Sequence, residues 1–411
     1  MSAVDNAAIL HISTARPQSG AGGAALSTHL SLRKRGIDSK MLFLAGVCDE
    51  SRGLYSFADT PYRKGLRLAV TTLDRLPLVP YRNRKQLFSP GLFGQSLQVH
   101  PLVQAADLIH LNWVNFGFVD VDNLKQLEKP IVWTMHDMWA FTGGCHYSMG
   151  CQRYTSRCGS CPVLGSDAEN DLSSRCQRRK LRANGADVSW VGVSSWIAEQ
   201  ARASTLLRGK TVDVIHSGID TDVFRPHDQA SARRELNLPA GCKLILLGAH
   251  DLRSSFKGLQ YSLDALKAVD SGYTVVTFGH ESIDPSTISQ QLIHLGFIQD
   301  PQRMAQLYSA ADLFLATSVA EAFGKTVAEA QCCGTPVVAF DGTGPRDIIE
   351  HMVTGYLATE RDAADVAAGI EYCVSRDLDR DAICARAGRF SIERSTGQYV
   401  QLYERLLVPS C

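Results

Sequence analysis

Short runs of apolar residues, many of them β-branched, alternate along the chain with longer segments in which apolar residues recur at helical spacing. This alternation is typical of βαβ units, which build parallel sheets covered by helices. For the first βαβ unit, the pattern predicts a strand at 8–12, a glycine-rich loop, a helix from about 24 to 35 that stops at Gly36, and a strand at 40–44. The pattern therefore predicts an α/β architecture.

The strand-like runs fall into two series, separated at residues 215–226 by turn residues and a proline. The predicted organisation is an N-terminal Rossmann-like domain at 1–214 with a Cys-rich loop at 143–165, a linker at 215–226, a C-terminal Rossmann-like domain at 227–388 and a C-terminal helix at 389–411.

Composition favours a globular protein of about two domains, because 411 residues with 45% hydrophobic side chains can bury sizeable cores. Lys plus Arg and Asp plus Glu both number 42, so no global charge attracts nucleic acid. No uncharged apolar run reaches about 18 residues, and the start MSAVDNAAIL lacks the basic region of a secretory signal. We expect a cytoplasmic protein without a transmembrane helix, for which a peripheral membrane contact stays open.

The most informative chemistry follows the predicted strand at 312–317. Glu321 lies on the loop after this strand, and Glu329 lies in a helix of about nine residues that ends at Gly334. Ligands of parallel α/β sheets bind at the carboxyl ends of strands. The backbone N–H groups of the helix start would attract an anion such as a diphosphate; these belong to Gly324, Lys325 and Thr326. The alternative is that both glutamates are ordinary solvated residues.

The spacing of Glu321 and Glu329 with Phe-Gly between them, preceded by LYSAADLFLATS and followed by CGTPVV, closely resembles the family 4 retaining glycosyltransferases of the GT-B fold. The resemblance covers nearly the whole chain. It includes Gly-Gly at 22–23, SGIDTDVFRP at 217–226, Lys-Gly at 257–258, Gly-Phe-Ile at 296–298 and the terminal helix. It implies two Rossmann-like domains that face a central cleft. For the C-terminal helix, packing on either half stays open, and crossing back to the first half is one of these two arrangements.

This resemblance implies that Glu329 holds the ribose of a UDP- or GDP-sugar, and that Glu321, with the backbone near Phe323, Gly324 and Lys325, holds the donor sugar and phosphate. Fixed cations replace a catalytic metal in such enzymes, and Arg253 and Lys257 are the candidates. The family usually has Arg directly after the glycine of the first C-domain strand, but here Ala249 follows Gly248 and the loop continues through His250 and Asp251. Exposed loop cations are the alternative.

Further candidate sites fall in the N-terminal domain. Gly20, Gly22 and Gly23 precede a helix, so their N–H groups are candidates for contact with the β-phosphate or the acceptor. His136 and Asp137 follow the predicted strand at 130–134. The resemblance implies that His136 positions the donor sugar and supports an oxocarbenium-like transition state, without acting as a general base. Asp137 is placed on the acceptor side.

Trp113 is a further acceptor-side candidate, because the segment HLNW at 110–113 follows another predicted strand. For His110, a packed core histidine is the alternative.

Cys145, Cys151, Cys158 and Cys161 lie on one short loop rich in Gly and Ser, and four thiols can surround a structural zinc ion. Disulfides or free thiols are the alternatives. A similar TGGC loop occurs in family 4 enzymes that resemble the colanic-acid type of exopolysaccharide transferases.

Between residues 62 and 94 the chain has seven Lys or Arg and one acid, with apolar residues interleaved, and a second basic run spans 175–182. Such a surface predicts contact with anionic lipid, and an ordinary solvated helix is the alternative.

The function predicted is the retaining transfer of a hexose from a nucleotide sugar to an oligosaccharide or polyprenyl-diphosphate-linked acceptor in bacterial surface polysaccharide biosynthesis. A GT-B-fold phosphorylase or sugar-nucleotide epimerase is the alternative enzyme. A non-enzymatic zinc-bearing module that binds RNA is less consistent with zero net charge and the lack of a recognisable RNA-binding motif.

Overall fold

The computed structural model describes residues 3–46, 48–82, 84–183, 186–249, 252–376 and 378–408. The chain forms two units. The first comprises Met1–Gly218 and Glu393–Cys411, and the second comprises Ile219–Ile392. No helix among the described residues is both long enough and apolar enough to cross a bilayer.

The first unit is built on a seven-stranded parallel sheet. Its strands are β1 (Ile9–Ser13), β2 (Ser39–Phe43), β3 (Leu54–Ser56), β4 (Leu108–Leu111), β5 (Ile131–Met135), β6 (Val188–Gly192) and β7 (Val212–Val214). They lie in the order β3-β2-β1-β4-β5-β6-β7. The helices are α1 (Gly20–Lys34), α2 (Pro61–Arg75), α3 (Pro101–Ala105), α4 (Leu172–Ala183) and α5 (Ser195–Ala203).

The second unit is built on a six-stranded parallel sheet. Its strands are β8 (Leu244–Gly248), β9 (Thr274–Phe278), β10 (Gln291–His294), β11 (Leu313–Ala316), β12 (Val337–Phe340) and β13 (Gly355–Ala358), in the order β10-β9-β8-β11-β12-β13. The helices are α6 (Gln229–Glu235), α7 (Leu259–Ala268), α8 (Pro301–Ala310), α9 (Lys325–Cys332), α10 (Ala363–Ser375) and α11 (Arg380–Ala387), and α12 (Ile392–Leu407) follows.

Both sheets have the doubly wound topology of a Rossmann-like domain, which confirms the predicted α/β fold class. The strand order reverses between β1 and β4 in the first sheet and between β8 and β11 in the second. Every side chain of β1, β4, β5, β8 and β9 is buried, as expected for parallel strands with helices on both faces. Ligands of such sheets bind where the order reverses, at the carboxyl ends of the strands.

The helix α12 packs on the first unit, which is one of the two arrangements that the sequence left open. Its Tyr399, Leu402 and Tyr403 are buried in the core of that unit with residues of β1, β4 and β5. The phenol oxygen of Tyr403 lies 2.6 Å from Nδ1 of His110, and that of Tyr399 lies 2.9 Å from the hydroxyl oxygen of Thr134. A hydrogen-bonded polar contact therefore fixes the position of α12 within an otherwise apolar interface.

The structure corrects the predicted start of the first helix. The helix α1 begins at Gly20, about four residues earlier than predicted, because the Ser19 side chain accepts a hydrogen bond from the Gly22 N–H and caps the helix there. The sequence also gave no sign of β3 and β7, because a three-residue edge strand is too short to show a hydrophobic period.

Candidate functional site

The loop after β11 leads into α9 through Gly324, which has a left-handed backbone conformation with φ of 99°. A residue with a Cβ rarely adopts this conformation, so glycine allows the abrupt entry into the helix. Glu321 precedes this turn, while Lys325 and Thr326 occupy the first turn of α9. The N-terminus of α9 thus lies at the carboxyl end of β11, at the point where the strand order reverses.

Lys257 and Glu321 form an ion pair, with 2.7 Å between Nζ and Oε2. Gly258 permits this approach, because a Cβ at that position would lie 2.0 Å from the Thr317 carbonyl oxygen. The turn that carries Lys257 therefore packs directly on the end of β11. The Lys-Gly pair found in the sequence thus has a physical role, which is to bring a cation to the carboxylate on the neighbouring loop.

Glu329 projects from α9 and has two partners in the second unit. Its Oε1 lies 3.7 Å from Nζ of Lys325, and its Oε2 accepts a hydrogen bond of 3.4 Å from the Tyr308 hydroxyl. Burial raises the pKa of Glu329 above its ordinary value, and the ammonium of Lys325 opposes that shift. A mostly buried carboxyl with one cation nearby is suited to accept hydrogen bonds from ligand hydroxyls.

Two further predicted donor residues, Phe323 and Arg253, have side chains that contact other partners. The Phe323 side chain is buried against Phe390, with ring centroids 5.5 Å apart, so only its backbone is placed to face a ligand. Arg253 is largely exposed and pairs with Glu281, with 2.9 Å between Nε and Oε2. The cation paired with Glu321 is therefore Lys257, and His250 and Asp251 lie outside the described residues.

Gly22 and Gly23 lie inside the first turn of α1, not in a loop before it. The Gly22 N–H donates to the Ser19 hydroxyl, and the Gly23 N–H donates to the Ser19 carbonyl. A Cβ at Gly22 would lie 2.0 Å from the Arg16 carbonyl oxygen, so close backbone packing requires glycine there. Contact of this turn with a phosphate stays a prediction.

His136 and Asp137 directly follow β5, at the carboxyl end of the first sheet. Nε2 of His136 lies 3.1 Å from Oδ1 of Asn112, which follows β4. This amide orients the imidazole, and no local pattern in the sequence indicates Asn112 as its partner.

Asp137 is the centre of a buried hydrogen-bond network. Its Oδ2 lies 2.6 Å from Nδ1 of His146 and also accepts from the Trp113 indole, while Oδ1 accepts from the Trp139 N–H. Burial alone would raise the pKa of Asp137, but His146 and these hydrogen bonds lower it below its ordinary value. Asp137 and Trp113, both predicted on the acceptor side, are thus in direct contact.

The same network continues to Ser89, whose hydroxyl oxygen lies 2.8 Å from Nε2 of His146. The side chains of Ser89, His146 and Asp137 are hydrogen-bonded in series, as in the catalytic triad of a hydrolase. Ser89 is fully buried, however, and its backbone N–H donates to the Gly144 carbonyl. The network therefore ties the loop after β5 to the Cys-rich loop and offers no accessible nucleophile.

His110, for which the sequence left two interpretations, is a packed core residue. It is 1% exposed, and its Nε2 lies 2.7 Å from the Thr134 hydroxyl oxygen. Burial lowers the pKa of His110 to about 3, so the ring is neutral at physiological pH.

Side chains from the Cys-rich loop surround one small cavity, and all four predicted zinc ligands line it: Cys145, Cys151, Cys158 and Cys161. All are free thiols. Burial raises the pKa of Cys145 far above its ordinary value and that of Cys158 to about 12. Within the described part of the chain, no group of three or more His, Cys, Asp or Glu side chains is arranged to hold a metal ion. The donor set suits zinc, and zinc binding stays a prediction.

Lys180 is a buried cation that the sequence assigned to a basic surface. Its Nζ donates to the carbonyls of Trp139 and Thr142 and lies 3.6 Å from the centroid of the Trp139 ring. Burial lowers the pKa of Lys180 to about 8. Its neighbour Arg179 pairs with Asp120 and Asp122. The second basic run is therefore partly internal and partly neutralised.

Known proteins resemble the chain over both units. Residues 229–389 match the model of the family Glycosyl transferases group 1. The Escherichia coli (strain K12) protein WcaC, which is assigned as a glycosyl transferase of colanic acid biosynthesis, is 24% identical over 427 positions that cover 97% of this chain and 100% of WcaC. A D-inositol 3-phosphate glycosyltransferase of Segniliparus rotundus is 31% identical over 214 residues, which are 48% of this chain and 47% of that protein.

Solved structures resemble the chain at lower sequence identity. Sucrose-phosphate synthase from Thermosynechococcus elongatus matches with a TM-score of 0.68 and 19% identity, over 98% of this chain and 99% of that one. Anabaena Alr3699/HepE in complex with UDP-glucose matches with a TM-score of 0.66 and 18% identity, over 98% of this chain and 100% of that one.

The two doubly wound sheets have the GT-B fold of these solved structures. Within this fold, residues 229–389 correspond to a glycosyltransferase group 1 domain.

Proposed function

We propose that the chain transfers a hexose, with retention of configuration, from a UDP- or GDP-sugar to a lipid-linked oligosaccharide in bacterial surface polysaccharide biosynthesis. The observation that carries the proposal is the pair of Lys–Glu contacts beside the N-terminus of α9. Lysines and helix N–H groups suit a diphosphate, and carboxylates suit sugar hydroxyls.

In the proposed reaction, the diphosphate draws Lys257 away from Glu321 and frees that carboxylate for the donor sugar. Glu329 accepts hydrogen bonds from the ribose. The acceptor oxygen bonds to the anomeric carbon as the bond from that carbon to the diphosphate breaks, and the acceptor's proton passes to the leaving diphosphate. Lys257, Lys325 and the α9 N-terminus stabilise the charge that develops there. His136 supports the positive charge that develops on the sugar.

The relatives support the substrate class. WcaC is assigned to colanic acid biosynthesis and aligns over 97% of this chain. Alr3699/HepE, which shares the fold, was solved with UDP-glucose. These likenesses favour a nucleotide-sugar donor and a polysaccharide product.

A lipid-linked acceptor is supported by the surface of α2. The only residue that this helix buries is Asp74. Apolar side chains stay exposed on α2 and after it, including Tyr62 at 77%, Leu68 at 64% and Val79 at 58%. Exposed Lys and Arg side chains accompany them, so the surface is complementary to an anionic bilayer. We propose that this face, residues 62–94, rests on the membrane that carries the acceptor.

Donor binding is tested by thermal shift with a panel of nucleotide sugars, because a bound ligand raises the melting temperature. The proposal expects one UDP- or GDP-sugar to stabilise the protein, and transfer from it to persist in EDTA. Release of an altered nucleotide sugar without acceptor would identify an epimerase, and sugar 1-phosphate formed from glycan and inorganic phosphate would identify a phosphorylase. Nucleic-acid affinity without nucleotide-sugar binding would indicate a non-enzymatic module.

Membrane contact is tested by sedimentation with phosphatidylglycerol vesicles. The test variant changes Arg63, Lys64, Arg67, Arg82, Arg84 and Lys85 to Gln. We expect it to lose sedimentation and keep the dissociation constant of the donor. Undiminished sedimentation would show that the face is an ordinary solvated surface.

A further inference from the structure

A cavity of about 670 Å³ opens beside the C-terminal end of α2. Its walls come from the end of α2 and the turn after it, from the segment that leads to β4, and from Phe116 after β4. The volume falls within the range typical of small-molecule sites. None of the residues described above as donor-site residues lines it.

Four cations line this cavity: Arg75, Arg82, Arg84 and Lys85. None of the residues described as lining it is acidic. Asp74, the acid next to Arg75, is turned away, because its Oδ1 accepts hydrogen bonds from the backbone N–H groups of Leu92 and Phe93. The cavity therefore concentrates positive charge that no carboxylate of its own wall offsets.

Two of the arginines are held by groups that leave their charge intact. Nη1 of Arg84 donates to the carbonyls of Leu78 and Tyr81, both at 2.9 Å. The guanidinium carbon of Arg75 lies 5.4 Å from the centroid of the Phe116 ring. Carbonyls and an aromatic face orient a guanidinium without neutralising it, which is the arrangement that favours binding of a phosphate.

Apart from Gln86, the rest of the wall is apolar: Leu78, Val79, Leu87, Phe88, Pro90 and Phe116. Val79 and Leu87 are exposed at 58% and 49%, although they are hydrocarbon side chains. An inorganic anion gains nothing from such a wall, whereas a phosphate attached to a hydrocarbon chain can use both surfaces.

We infer that this cavity binds the diphosphate and the adjoining prenyl chain of the lipid-linked acceptor. The inference rests on the proposed function and deepens it by assigning the lipid end of the acceptor to a subsite. The four cations contact the diphosphate, and the apolar wall contacts the first prenyl units. The cavity thereby selects an amphiphilic diphosphate over other anions and over neutral lipids.

The test measures binding of geranylgeranyl diphosphate to the full chain by isothermal titration calorimetry, with inorganic pyrophosphate and geranylgeraniol as separate probes. The inference expects the diphosphate lipid to bind at least about tenfold more tightly than either probe. Equal affinity for pyrophosphate would overturn it, because the apolar wall would then contribute nothing.

The variant Arg82→Gln/Lys85→Gln removes two exposed cations of the cavity. It should weaken binding of geranylgeranyl diphosphate at least about tenfold, because each charge-assisted hydrogen bond is a strong one. Lys34→Gln/Lys210→Gln removes the same charge at exposed positions away from the cavity and should change the affinity less than about twofold. Val79→Glu places an acid on the exposed part of the wall and should also weaken binding. Equal losses in the test and control variants would overturn the inference.

Binding of the nucleotide sugar, measured on the same variants, separates the two proposals. A chain that binds the donor and fails to bind geranylgeranyl diphosphate contradicts the cavity assignment and leaves the donor site intact. A chain that binds geranylgeranyl diphosphate and no nucleotide sugar contradicts the proposed transfer. Loss of vesicle sedimentation in Arg82→Gln/Lys85→Gln, with unchanged affinity for geranylgeranyl diphosphate, would assign these cations to the membrane surface and overturn the inference.

Discussion

Lys257 and Glu321 are 64 residues apart in the chain, yet Nζ of the lysine lies 2.7 Å from Oε2 of the glutamate. The pair brings together the end of the loop after β8 and the loop after β11, which are the two strands between which the sheet order reverses. Without a ligand, each charge is compensated by the other. A bound diphosphate would replace the carboxylate as the partner of the ammonium.

The variant Lys257→Met should raise the dissociation constant of the donor at least about tenfold, because the diphosphate loses a charge-assisted contact. Calorimetric titration with the cognate nucleotide sugar measures this. Lys267→Met is the matched control, since Lys267 pairs with Asp264 on the exposed side of α7. If both variants bind the donor like the wild type, the pair has no part in donor binding.

Glu329→Gln should weaken donor binding about tenfold, because an amide accepts weaker hydrogen bonds from hydroxyls than a carboxylate does. Burial raises the pKa of Glu329, so the wild-type carboxyl takes up a proton at a higher pH than an exposed one. Donor affinity should therefore fall as the pH is lowered from 7 toward 5 in the wild type, and this fall should be smaller in the variant.

Glu371→Gln serves as the control for Glu329. Glu371 also accepts a hydrogen bond from a tyrosine, Tyr273, but it is exposed on α10. A parallel loss of affinity in both variants would show that the effect of Glu329 is not specific to the site.

The buried histidines of the first unit should make its stability depend on pH. Burial lowers the pKa of His29 to about 4 and that of His110 to about 3, and it also lowers the pKa of His11, which packs against both. In the unfolded chain these groups titrate near pH 6.5. At a pH between the folded-state and unfolded-state pKa values, the unfolded chain binds more protons than the folded chain does. The free energy of unfolding therefore falls as the pH drops below about 6.5.

Thermal unfolding at pH 7 and pH 5 measures this effect. Each buried histidine contributes about 1.4 kcal/mol per pH unit within its window. His29→Gln should therefore show a smaller loss of stability between the two pH values than the wild type. His294→Gln, at an exposed position of the second unit, should leave that loss unchanged. An identical loss in His29→Gln and the wild type would contradict the assignment.

We propose that the Cys-rich loop binds one structural zinc ion through Cys145, Cys151, Cys158 and Cys161, whose side chains line one cavity. Elemental analysis of protein purified without added metal should find about one zinc per chain. Cys158→Ser should lose the metal and melt at a lower temperature, whereas Cys373→Ser, a buried cysteine of α10, should retain it. A zinc content near zero, with four freely titrating thiols, would leave the loop as cysteine-rich packing.

The sequence predicted the local features of the site better than its contacts. Glu321 and Glu329 were predicted as donor-site residues because a strand, a glycine turn and a helix follow one another within about twenty residues and because this segment resembles family 4 glycosyltransferases. The Lys257–Glu321 pair was not, because it depends on how the turn at Gly258 packs on the end of β11. Asp137 was identified from its position after β5, but nothing local indicated that His146 and Ser89 would join it.

The return of α12 to the first unit has a consequence for biosynthesis. All residues of the second unit leave the ribosome before Glu393, whereas the first unit still lacks its last segment at that moment. Until Tyr399 and Tyr403 have been synthesised, His110 and Thr134 have no phenol partners, and part of the apolar core of β1, β4 and β5 is uncovered. The first unit, most of which is translated before the second unit, is therefore the last of the two to be completed. A nascent chain arrested near residue 392 should expose the incomplete apolar core of the first unit to chaperones.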